Sequence, residues 1–115
     1  MTPEDRQATL IRARDLFNSG AYWEAHEALE TVWRSIITGD EARVWQGLIQ
    51  AAAALLHRSR GNAHGVEVVG RAALEKLAGP VPPAVEFETA TFRAHLARAL
   101  AGEGDPPHLE FRTDA

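Results

Sequence analysis

The chain has 115 residues, a formal charge of −4 and no cysteine. That length makes one domain, with enough surface to bury for a core that needs no covalent staple. The lack of cysteine excludes disulfides, thiolate metal sites and cysteine nucleophiles, and the mixed, slightly acidic charge shows no basic face for nucleic acid.

The longest weakly polar run, 48–56, is too short to span a bilayer, and Gln50 interrupts it. Met1-Thr-Pro-Glu-Asp lacks the basic start and apolar segment of a secretory signal. The expectation is a cytoplasmic protein that partners neither a membrane nor a nucleic acid.

The punctuation predicts five helices and no strands. Thr2 caps the first, with Pro3 in its first turn and Glu4 and Asp5 near the positive end of the dipole. This helix runs to Asn18, with Leu10, Ile11, Ala13, Leu16 and Phe17 as its apolar stripe. Gly20 follows, where a left-handed residue is favoured. The second helix covers 21–37. Asp40 is the expected cap of the third, over 41–60. That helix is apolar around more than half its circumference and therefore central. Its Trp45, if left exposed, would mark an interface.

Asn62 caps the fourth helix, 63–78, with Val66, Val69, Ala73 and Leu77 as its buried stripe. Gly79-Pro-Val-Pro-Pro83 breaks the chain before a fifth helix over 88–101. The expected fold is an all-α, single-domain antiparallel helical bundle of about five helices over 1–101. An irregular tail, 102–115, follows, with Leu109 or Phe111 available to pin it.

The second helix carries the chemistry. At 100° per residue, Val32, Ala25, Ile36, Leu29, Tyr22 and Trp33 form a continuous apolar arc. His26 and Glu30 fall just beyond Trp33, among aromatic and aliphatic side chains, whereas Glu27 does not. An unpaired buried polar group costs about 1–3 kcal/mol, so the pair needs partners. His at i with Glu at i+4 can ligate one metal from one helical face, although two ligands are too few.

Helix three offers Gln46, Gln50 and His57 on one stripe. An antiparallel hairpin turning near Thr38 sets His26 against Gln50 and Glu30 against Gln46, whose amides can satisfy the pair. His57 lies about 10 Å further along the axis, so it joins a metal site only if the register shifts.

The junction Gly20-Ala-Tyr-Trp-Glu-Ala25 resembles the interhelical turn of tetratricopeptide repeats, but no period recurs. A longer ordered set runs through Phe17-Asn18, Gly20, Tyr22, His26, Glu30 and Trp33. It continues through Gln46-Gly-Leu-Ile-Gln50, His57 and Gly61-Asn62. With these residues the chain resembles the small helical proteins of domain of unknown function 309, most strongly over 17–78. The resemblance implies an all-α fold and a motif, H-x-x-x-E-x-x-W/Y, proposed to bind metal, here His26, Glu30 and Trp33. It implies no activity.

Three functional readings follow. In the first, His26, Glu30, Trp33, Gln46, Gln50 and Tyr22 form a polar site between helices two and three of a binding or scaffold module. Its partner is a small molecule or a protein. In the second, His26 and Glu30 hold a divalent metal, with Gln50, His57 or a second chain completing the shell of a hydrolytic enzyme. In the third, the chain is a homo-oligomeric interaction module using Tyr22 and Trp23 or a groove behind helix five.

Overall fold

A computed structural model of the chain describes residues 1–36 and 38–113. Among them the chain forms α1 (Pro3–Asn18), α2 (Tyr22–Trp33), α3 (Gly39–Ser59), α4 (Ala63–Lys76) and α5 (Ala90–Leu100). The only β pairing among these residues is an isolated antiparallel bridge between Phe87 and Phe111. The fold is all-α, as the punctuation implies, and among the described residues no helix is long and apolar enough to cross a membrane.

Local chemistry sets the helix ends. Thr2 and Asp5 form a reciprocal capping box at the start of α1. Gly20, at φ 87°, turns the chain from α1 into α2, a conformation that a side chain would strain. Asn62 caps α4 by accepting from the Gly65 N–H at 3.0 Å.

Boundaries differ from expectation in four places, one of them the end of α4, at Lys76 and not 78. Helix α2 stops at Trp33, where Ser35 and Ile36 donate back three residues to Val32 and Trp33 in a tightened turn. The expected end at Ile37 lies outside the described residues. Helix α3 starts at Gly39, and its N-cap is Thr38; Asp40 sits in the first turn, where the dipole still favours a carboxylate. Helix α5 starts at Ala90. The Glu88 carboxylate caps it from outside, accepting from Ala90 N–H at 2.9 Å and Thr91 N–H at 3.1 Å.

Helices α1 to α4 each pack on the next, and α3 lies at the centre. Val44, Trp45, Leu48, Ala52 and Leu55 of α3 are all buried. Trp45 has no exposed surface, so it is core and not an interface marker. Its ring meets Phe87 edge-on at 5.9 Å, and the Arg6 guanidinium lies 5.5 Å from it. Arg6 also forms a fork with Glu86, at 2.8 and 3.0 Å, tying α1 to the segment before α5. That bond holds the guanidinium above its ordinary pKa, against the opposing effect of partial burial.

The segment 102–113 is irregular but anchored. Leu109 is fully buried. Its backbone is gripped by the Asn18 amide, which donates to the Leu109 carbonyl at 2.9 Å and accepts from its N–H at 2.7 Å. Phe111 stacks on Phe87 at 4.8 Å. Removing a buried leucine side chain costs about 2–5 kcal/mol. Urea unfolding of Leu109→Ala is therefore expected to show a loss in that range. A loss below about 1 kcal/mol would take the tail out of the core.

Candidate functional site

Helix α2 is fixed to the body by Ala25, Ala28, Leu29 and Val32, each nearly inaccessible. The side chains that the helical period places away from these four form the outer stripe Trp23, His26, Glu30 and Arg34. Here the i, i+4, i+8 spacing builds a ladder. His26 Nδ1 lies 2.9 Å from Glu30 Oε1, and Arg34 Nη2 lies 3.0 Å from Glu30 Oε2. One turn earlier, the Trp23 indole stacks on the His26 imidazole, with 5.5 Å between centroids and 6° between planes.

The stripe borders a shallow hollow of about 320 Å³, lined by Trp23, His26, Glu27, Glu30, Thr31 and Arg34. The His26 and Glu30 side chains are 21% and 25% exposed, while Trp23 as a whole residue is 53% exposed. His26 Nδ1 is shut off from water and in ion-pairing range of Glu30, but off the line of a hydrogen bond. It is a buried polar atom of this face that bonding within the helix leaves unsatisfied.

The other nominated residues lie elsewhere. Tyr22 turns its ring edge onto Phe17 at 5.2 Å, at the α1–α2 corner. Burial pushes its phenol above the ordinary value, and Arg58 pulls weakly the other way. Trp33 packs half-buried against the core. No hydrogen bond joins Gln46 or Gln50 to His26 or Glu30 among the described residues, and Gln50 Oε1 is buried without a partner.

The reason is the register of α3. Arg43, Gly47, Gln50, Ala54 and His57 share one stripe, and its members touch α4 and the turn after it. Arg43 donates to the carbonyls of Lys76 and Pro80. A Cβ on Gly47 would lie 3.0 Å from Leu77 and 3.1 Å from Lys76, and Ala54 faces Gly70. By helical period Gln50 falls in the middle of this stripe, and no hydrogen bond links it to His26 among the described residues.

His57 closes the same stripe. Its ring packs on Gly65, and its Nδ1 lies 3.2 Å from Asn62 Nδ2. An amide nitrogen can only donate, so the Nδ1 lone pair is occupied. His57 is thereby part of the α3–α4 turn and is separated from the His26 ladder.

His26 and Glu30 thus supply two donors where a catalytic zinc takes three protein ligands and a structural one four. Among the described residues no three His, Cys, Asp or Glu side chains converge on a metal position. A larger apolar groove, about 710 Å³, runs between α4 and α5 over Val66, Leu74 and Leu100. Two of its rim arginines are engaged, Arg71 with Glu67 at 3.1 Å and Arg93 with the Leu74 carbonyl at 2.9 Å. None of the nominated residues lines it.

Sequence reasoning named His26 and Glu30, set aside Glu27 and Arg34, and gave Trp23 only to the interaction-module reading. The signal was available: 26, 30 and 34 are successive i+4 steps, and 23 precedes them by three.

A family model described as a domain of unknown function (DUF309) matches residues 10–69. The match takes in all of α2 and α3. An uncharacterised protein of Aquifex aeolicus (strain VF5) is 31% identical over 109 residues, which cover 92% of this chain and 33% of that protein. The chain spans about a third of the length of this curated relative. No solved structure matches the chain.

The placement of His57 has a direct check. A Cβ at Gly65 would stand 2.5 Å from the base of the His57 ring, too close to be absorbed without movement. Overpacking of this kind costs about 1–3 kcal/mol. Gly65→Ala is expected to destabilise by that amount in the parent chain and by clearly less in a His57→Ala background. Equal costs in the two backgrounds, measured by chemical denaturation, would remove His57 from that contact.

Proposed function

The chain belongs to the domain of unknown function 309 family, and we propose that this member is a binding module whose contact surface is the outer stripe of α2. The observation that carries this reading is Trp23. The residue is 53% exposed, yet its indole stacks on His26. Tryptophan and arginine are over-represented where binding energy concentrates. A side chain already fixed before contact loses little freedom on binding. The ladder His26–Glu30–Arg34 fixes its neighbours in the same way.

The two-donor count at His26 and Glu30 favours this reading over a metal-dependent hydrolase. Protein purified without a His-tag and chelator is expected to carry no stoichiometric metal. Zinc is expected to shift the melting temperatures of the parent and His26→Ala equally. Near-stoichiometric metal that disappears in His26→Ala would overturn the reading.

The contact surface has its own test. A photo-crosslinking amino acid at position 23 is expected to give a discrete adduct in cells, while the equally exposed position 68 gives none. No discrete adduct from position 23 would count against α2. Trp23→Ala is expected to change stability by no more than about 1 kcal/mol, because the side chain is mainly outside the core.

A further inference from the structure

We propose that the partner of the α2 stripe is a basic protein segment, which docks an arginine guanidinium flat on the outer face of Trp23 and against Glu27. The proposal rests on the reading of α2 as a contact surface and adds the chemistry of what it contacts.

Charge is the first argument. The twelve residues of α2 include Glu24, Glu27 and Glu30 and no lysine or arginine. Glu30 is committed to His26 and Arg34. The Glu24 and Glu27 carboxylates are exposed and have no ion pair or hydrogen bond among the described residues. An acidic partner would meet repulsion here, and so would the anionic surface of a membrane or a nucleic acid.

Geometry is the second. Trp23 uses one face of its indole on His26 and leaves more than half of the residue exposed. Glu27 lies one helical turn further on, about 5–6 Å along the same side. A guanidinium is planar, stacks on an indole and presents a fork of N–H donors to a carboxylate at its edge. Arg34, the residue just past the end of α2, already makes a guanidinium–carboxylate contact with Glu30 at 3.0 Å. An incoming arginine at Trp23 and Glu27 would extend the stripe by one more cation, so that guanidinium, indole and imidazole form a single stack.

Fluorine NMR of protein labelled with 5-fluorotryptophan tests this. The chain has three tryptophans, and Trp23→Phe assigns the relevant resonance. A short glycine–arginine peptide is expected to shift the Trp23 resonance saturably and leave that of buried Trp45 in place. The same peptide with citrulline, equal in shape but uncharged, is expected to bind about fivefold or more weakly. Glu24→Gln with Glu27→Gln is expected to weaken the arginine peptide by a similar factor. If the citrulline peptide binds equally well, or the glutamine variants bind unchanged, the charge argument fails. No Trp23 shift at millimolar arginine peptide overturns the proposal. So does a Trp23 shift that follows protein concentration alone, which would make a second copy the occupant. The crosslink from position 23 reports separately on α2, so loss of the arginine chemistry and loss of the contact surface are distinguishable.

Discussion

The close approach of α3 and α4 governs where the polar residues of this chain end up. Gly47 and Gly65 leave room where the two helices meet for a side chain from the opposite partner. Leu77 fills the space at Gly47, and the His57 ring fills the space at Gly65. Arg43 locks the far end by donating to carbonyls at the end of α4 and in the turn after it. Leu100 of α5 closes on the same contact at Gly70, beside Ala54. Arg43, Gly47, Ala54 and His57 of α3 are therefore engaged with α4 and the turns that flank it.

That allocation explains the state of α2. Its four inner residues are nearly inaccessible, and the contacts of Glu30, to His26 and Arg34, stay within its own stripe. Glu30 bridges an imidazole on one side and a guanidinium on the other, and no residue of α3 takes part. A site laid along one helix is shallow, exposed and fixed by i+4 spacing. It suits contact with a surface better than enclosure of a small substrate, because ligand pockets typically bury most of their occupant.

Much of this was legible in the residues, and what was legible was local. The capping box at Thr2, the turn at Gly20 and the Asn62 cap each depend on a few neighbouring residues, and each formed where the sequence placed it. The His26–Glu30 contact is likewise set by spacing within one helix. The partner of α3's glutamine stripe was not legible. An angular position tells which residues share a face, and does not tell which neighbour that face meets. Gly47 and Ala54 border that stripe, and what they meet is α4 and the turn after it. Trp45 failed for a related reason, since a helix apolar on most sides gives no angular clue to the one that stays open. Its cover came from Phe87 and Arg6, distant in sequence.

The energetics of the stripe separate its role from folding. Ion pairs at i, i+4 on a helix surface contribute about 0.3–0.5 kcal/mol each. Burying Leu29 and Val32 contributes several times more, about 1.5–3 kcal/mol for each side chain. The ladder is therefore dispensable for holding α2 in place. A half-exposed tryptophan is also a standing liability for solubility, which folding does not require. A residue set that adds little to stability, leaves Nδ1 of His26 without a hydrogen bond and keeps an indole in water is better accounted for by what it meets than by what it supports.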